Sequence, residues 1–208
     1  MMLDPRDAAL RASCPCVSMP MFGALEEMQS GQRMVVGRNG LFMQIRTPWL
    51  DCTTRVAGIA GELRLPYGTV PERLALAFGV IPLDLLHQFI EQARQVMPTE
   101  AAGALVYDTH QGTLRLQMHE AIDASGAHIR YRLAELADWE VLAVDLHSHG
   151  RLGAFWSEQD DRDDQGVRVS GVFGNLDREQ PTAKFRLAIN GLFLPLPSPW
   201  DGVPASGA

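Results

Sequence analysis

The chain has 208 residues, 46% of them hydrophobic and 21% charged, with a formal net charge of -7 and a pI near 5.3. That length supports one well-buried domain plus a smaller one, and the acidic balance lacks the electrostatic footprint of a nucleic-acid binder. No stretch approaches the roughly 20 apolar residues that span a bilayer, and Met1-Met2-Leu3-Asp4-Pro5-Arg6-Asp7 lacks the basic-then-apolar order of a signal peptide. The expectation is a cytoplasmic protein whose partners include neither nucleic acid nor membrane. Cys14, Cys16 and Cys52 are too few and too uneven for a disulfide framework and read as plain thiols.

Residues 1–30 have little periodicity and read as an irregular or partly ordered leader. Arg33-Met34-Val35-Val36-Gly37 and Leu41-Phe42-Met43-Gln44-Ile45-Arg46 flank Arg38-Asn39-Gly40, and Asn-Gly between apolar runs predicts a hairpin. Pro48, Gly58, Gly61, Pro66-Tyr67-Gly68 and Pro71 then cut the chain into short strands and loops, which gives a β-rich region over residues 1–80. Pro82 opens a helix, and Leu83, Leu86, Phe89, Ile90, Ala93, Val96 and Met97 repeat at helical spacing until Pro98 stops it.

Ala102 to Tyr107 and Thr113 to Met118 read as two strands joined by a turn, and His128 to Arg132 as a third. Leu133 to Asp138 reads as a short helix and Val141 to Leu146 as a strand. Ser157 is placed to cap a short helix from Glu158 to about Asp164. Val167 to Gly174 and Thr182 to Ile189 read as closing strands, and the Pro, Gly and Ser content after Pro195 reads as a loose tail over 196–208. Helix, strands and short helix in this order predict a mixed α+β domain over 81–195.

His147 and His149 stand two apart at the end of the strand from Val141, so both imidazoles project from one face. Catalytic zinc takes three ligands from His and Asp/Glu and keeps a fourth position for water, and Asp160 is the natural third ligand. Asp161, Asp163 and Asp164 are its rivals, as members of an acidic helix face. Asp145 shares the face of the histidines and is either a partner to them or a structural residue. Phe155-Trp156 either packs the loop or grips substrate. His87, His110, His119 and His128 have no paired ligand spacing and read as ordinary histidines.

These residues resemble the JAB/MPN metallopeptidases of the JAMM type, whose signature is a Glu, then His-x-His, then Ser and Asp with ten residues between the second His and the Asp. Glu100, His147, His149, Ser157 and Asp160 fall at those positions, with Gly150 to Gln159 intervening. Pro98-Thr99-Glu100-Ala101-Ala102-Gly103-Ala104-Leu105 is similar to the segment that carries the family's glutamate. Many members have Pro after the second histidine where this chain has Gly150, and the expectation is a more mobile loop. Arg46-Thr47-Pro48-Trp49-Leu50, Leu65-Pro66-Tyr67-Gly68 and the His-Ser-His-Gly run make the whole chain similar to the A-component family of the bacterial PRTRC cassette.

The resemblance implies a JAB/MPN-like (cytidine-deaminase-like) mixed sheet flanked by helices. It implies Zn²⁺ held by His147, His149 and Asp160, with Glu100 as general base and Ser157 as oxyanion donor. It also implies a zinc peptidase or isopeptidase acting at the C-terminal tail of a ubiquitin-like protein or its conjugate, with a ThiF-like activating enzyme as a further partner. Two other readings stay open: a non-catalytic binding module for such a partner, and a hydrolase of small amides.

Overall fold

The computed structural model describes residues 3–60, 64–125, 128–132 and 135–199. The chain divides into two compact units, Met1–Gly79 and Val80–Ala208. Among the described residues no helix is long and apolar enough to cross a membrane.

The first unit begins with α1, Pro5–Ser13, where an irregular or partly ordered leader is expected. Asp4 accepts a hydrogen bond from the Arg6 amide, and proline sits at the helix start, so cap and preset φ together nucleate the turn. No residue of α1 is buried, which is why apolar periodicity gives no sign of it. A five-stranded sheet follows in the order β1-β2-β3-β4-β5, formed by Cys16–Ser18, Gly31–Gly37, Gly40–Arg46, Leu50–Ala57 and Arg73–Leu76.

The hairpin expected around Asn39 forms between β2 and β3, for a different reason. Arg38 and Asn39 make the two-residue loop, and the positive φ falls on Gly40, at +143°. Asn39 instead spends its amide on the backbone of Val70, donating to its carbonyl at 2.9 Å and accepting from its N–H at 2.9 Å. That clamp closes a small core of Val35, Phe42 and Val70, against which Val17, Met19 and Leu25 pack. Cys52 is 1% exposed, and burial pushes its thiol up to about 11. Cys14 and Cys16 are accessible, and all three thiols are free.

The second unit starts with α2, Leu83–Gln95, whose Leu85, Leu86, Phe89, Ile90 and Ala93 are buried. Pro82 is its N-cap. The strands are β6 Ala102–Asp108, β7 Thr113–Met118, β8 Glu120–Ser125, β9 His128–Arg132, β10 Glu140–Ser148, β11 Val167–Gly174, β12 Thr182–Ile189 and β13 Leu192–Leu196, with α3 at Glu158–Asp163. Six of them form one sheet in the order β13-β12-β11-β10-β6-β7. Only the β10–β11 neighbours run parallel, so the unit is a mixed α+β fold as expected. Phe89 of α2 meets Phe173 of β11 at 5.1 Å between ring centroids, which places the helix over the sheet face that carries the core.

β9 forms where a strand is expected and pairs with β8 in a separate two-stranded sheet. Two local expectations change. The short helix expected over 133–138 is absent from 135–138, and residues 133 and 134 lie outside the described residues. Glu140 holds a turn there instead, accepting from the Ala137 amide at 3.1 Å while Arg115 donates to its carboxylate at 2.7 and 2.9 Å. Leu196, read as the start of a tail, belongs with Pro195 to β13. That strand lies at the sheet edge, where a missing N–H breaks no ladder. Residues 200–208 of the expected tail lie outside the described residues.

Candidate metal centre

β10 lies inside the large sheet, parallel to β11 on one side and antiparallel to β6 on the other. Its alternation sends Val144, Leu146 and Ser148 to the buried core face and Asp145, His147 and His149 to the opposite one. The two imidazole centroids are 5.1 Å apart. The turn after β10 brings the chain back through Phe155 and Trp156 to α3. Phe155 sits 4.4 Å from the His149 ring and Trp156 sits 6.0 Å from the His147 ring, so the aromatic pair borders the site.

Ser157 is the N-cap of α3 and forms a capping box with Asp160. Asp160 N–H donates to Ser157 Oγ at 3.1 Å, and Asp160 Oδ2 accepts from Ser157 N–H at 2.6 Å. Ser157 Oγ also lies 2.8 Å from Asp160 Oδ2, and because a carboxylate only accepts, the serine donates. Two of these contacts hold the carboxylate by Oδ2 and leave Oδ1 facing His147 Nε2 at 3.2 Å, with His149 Nε2 4.0 Å from Oδ2. The other acidic residues are engaged elsewhere. Asp163 takes the Gln159 amide, while Asp161 and Asp164 take Arg186. Asp145 accepts from Arg168 at 2.8 Å.

His147, His149 and Asp160 each offer a ligand atom, all within 4.8 Å of one another. His147 Nε2 is buried and, although 3.2 Å from Asp160 Oδ1, is not aligned for a hydrogen bond with it; His149 Nδ1 is also buried without a hydrogen-bond partner. A buried imidazole nitrogen without a hydrogen-bond partner beside a fixed carboxylate is costly unless something else satisfies both. A zinc ion with bonds of about 2.0–2.2 Å places tetrahedral ligands roughly 3.3–3.6 Å apart, close to the 3.2 Å between His147 Nε2 and Asp160 Oδ1, and the His₂-carboxylate donor set suits it. These residues therefore fit the ion. Burial holds the pKa of His147 below its ordinary value, against the opposing pull of Asp160, which keeps the imidazole in the neutral form that ligates.

Glu100 lies just before β6. The register pairs His147 with Ala102, so Glu100 falls opposite His149. The residue is exposed overall, yet partial burial of its carboxyl raises its pKa, with His149 lowering it and Asp160 raising it further. Ser148, the middle of His-Ser-His, has a part that sequence spacing does not reveal. Its Oγ accepts from Ala101 N–H at 2.9 Å and its own N–H donates to the Ala101 carbonyl at 2.9 Å. The residue next to Glu100 is thereby pinned to the residue between the two histidines.

Gly150, the departure from proline, has φ +55°, a region closed to proline, whose ring fixes φ near -65°. The expected mobile loop is tied down. Leu176 N–H donates to Gly150 O at 2.9 Å, Asn175 N–H to Leu152 O at 2.6 Å, and Ala154 N–H to Thr182 Oγ1 at 3.0 Å. Gly174 lies against this loop so closely that a Cβ there would strike the backbone of Leu152 and Gly153.

Residues 82–188 match the family described as prokaryotic homologs of the JAB domain. The chain belongs to this prokaryotic JAB family. Residues 4–77 match a domain of unknown function, DUF2016, so the JAB domain follows a segment of a second family. No curated protein matches the chain. Among solved structures, the solution structure of protein DSY2949 from Desulfitobacterium hafniense is similar, at 17% identity, covering 54% of this chain and 86% of that one, with a TM-score of 0.42.

Proposed function

We propose that the JAB domain is a zinc-dependent peptidase or isopeptidase that hydrolyses an amide bond at the C-terminal tail of a ubiquitin-like protein or its conjugate. The observation that carries the reading is the convergence of His147, His149 and Asp160 around an unsatisfied buried Nε2, with the Glu100 carboxyl close enough to feel His149 and Asp160. Held by His147, His149 and Asp160, a zinc ion would supply a water of pKa about 7 and an electrophile for the carbonyl oxygen.

Glu100 takes a proton on its carboxylate and returns it to the departing amine, and its raised pKa is the direction a group that both accepts and donates near neutrality needs. His147 and His149 would hold the ion through imidazole nitrogens. Ser157 first holds Asp160 in place through the contact at 2.8 Å, and rotation of its O–H off that carboxylate lets it donate to the developing oxyanion. The substrate class and a ThiF-like enzyme as partner follow from the likeness to the PRTRC cassette proteins.

The test is incubation of the zinc-loaded chain with a PRTRC-type ubiquitin-like protein extended at its C-terminus, read by mass spectrometry. Cleavage is expected, and Glu100→Gln should lower it by about 10² to 10⁴ while zinc stays bound. A Glu100→Gln chain with full turnover removes the assigned base. A zinc-loaded wild type that binds the protein without cutting it leaves a binding module.

A further inference from the structure

We propose that Arg186 is a positioning residue of the metal centre, setting Asp160 and Trp156 against the two histidines and thereby fixing metal affinity. The proposal rests on the metal reading above. Helix α3 is six residues long and buries none of them. A helix this short does not hold itself in water, yet it carries the third ligand. Something outside it must fix its place on the sheet.

Arg186, on β12, is 4% exposed. Its guanidinium lies between two aromatic faces, 4.0 Å from the Trp156 ring centroid and 3.9 Å from that of Phe193. Its NH1 donates to Asp161 Oδ1 at 2.6 Å and its Nε to Asp164 Oδ2 at 2.9 Å. NH2 is 2.8 Å from the same Asp164 oxygen, near enough for ion pairing but not aligned for another hydrogen bond. Asp164 is completed by Ser170 Oγ of β11, which donates to its Oδ1 at 2.8 Å.

These contacts bracket the ligand. Trp156 immediately precedes the capping Ser157, while Asp161 and Asp164 follow Asp160 by one and four residues. Asp164 N–H also donates to the Asp160 carbonyl at 2.9 Å. One side chain therefore holds the segment on both sides of Asp160, and it stacks on Trp156, whose ring lies 6.0 Å from that of His147. A buried guanidinium survives only when paired and stacked, and here both kinds of contact go to the ligand-bearing segment. Lysine could not replace it, having neither the planar fork nor a face to stack on both rings.

The experiment measures zinc affinity of the full chain by competition with a chromogenic chelator, together with the Co²⁺ ligand-field spectrum, for wild type, Arg186→Lys and Leu187→Ala. Leu187 neighbours Arg186, is wholly buried and faces away from the site, so its truncation lowers stability without touching the centre. Arg186→Lys is expected to weaken zinc by about 10 to 100-fold and to change the Co²⁺ bands, as loss of an outer support does. Leu187→Ala should lower Tm and leave zinc affinity within about threefold. Wild-type affinity in Arg186→Lys overturns the proposal, as does an equal loss of affinity in Leu187→Ala, which would make it a matter of stability alone. If Arg186→Lys does not fold, Asp161→Asn removes one exposed contact of the clamp and should weaken zinc severalfold; unchanged affinity there also overturns the proposal. A wild type that takes up no zinc overturns the metal reading itself, and this proposal with it.

Discussion

Replacing Asp160 by Asn separates the two jobs this side chain has in the structure. Asp160 Oδ2 accepts from Ser157 N–H and Oγ, while Oδ1 faces His147 Nε2. An asparagine that keeps the capping box must put its oxygen in the Oδ2 position, which turns its NH₂ toward the histidines. The reverse flip offers a neutral oxygen to the metal and sets NH₂ against the Ser157 N–H, two donors face to face. Either orientation damages the metal site, and the first preserves the fold.

Loss of a ligand costs at least the hundredfold that loss of an outer partner can cost. With free zinc at about 100 times the wild-type Kd, binding adds about 2.7 kcal/mol to stability, but at a Kd roughly 100-fold weaker it adds about 0.4 kcal/mol. The difference of about 2.3 kcal/mol corresponds to roughly 5–9 °C in the zinc-induced rise of Tm for a chain of this length. Without zinc the variant should lose only about 1 kcal/mol, the charged part of the cap. Paired thermal melts with and without zinc read both terms. Equal zinc-induced shifts in the two proteins would refute the assignment of Asp160 as a ligand.

Gly150 at φ +55° predicts that Gly150→Ala costs about 1–2 kcal/mol, with no steric contribution because the nearest atom to an added Cβ is Pro98 O at 3.7 Å. Gly150→Pro should cost more, so a proline variant melting at the wild-type temperature would show that the turn is not what the backbone implies. Ser148→Ala leaves the Ala101 N–H buried without its acceptor, for a cost of about 1–3 kcal/mol; turnover should fall more than zinc affinity, because Glu100 is the neighbour displaced. Zinc binding itself should follow the state of His147. Its pKa is lowered by burial from the ordinary 6.5, so this imidazole is already neutral at pH 6.5 and protons displace zinc from it only below that, by at most about tenfold per pH unit. A titration in which His147, followed by NMR, becomes protonated above pH 6.5 in the zinc-free protein would contradict that direction.

That His147, His149 and Asp160 come together was legible in the sequence because strand alternation and a fixed loop length are local rules. His147 and His149 need only period two to share a face, and Ser157 and Asp160 need only the three-residue spacing of a capping box. The hairpin at β2 and β3, helix α2 and strands β7, β11 and β12 were legible for the same reason, each carrying its own periodicity or punctuation. Helix α1 was not, since it buries nothing and leaves no apolar repeat. Strand β9 reads correctly as a strand, but its pairing with β8 is a choice between partners that no single segment encodes.

Tertiary structure alone decided what supports the site. Arg186 and Asp164 are 22 residues apart, and Ser148 and Ala101 are 47 apart, and no residue spacing announces contacts made across strands. It also decided Gly150. In sequence the residue stands as a departure from proline, whereas the fold gives it a left-handed φ and a carbonyl that receives Leu176 N–H. Sequence determined which residues can hold a metal, because donor chemistry and local spacing belong to the chain. The fold determined which carboxylate is free to do so: of Asp160, Asp161, Asp163 and Asp164, the last three are taken by Arg186 and Gln159, and only Asp160 is left facing the histidines.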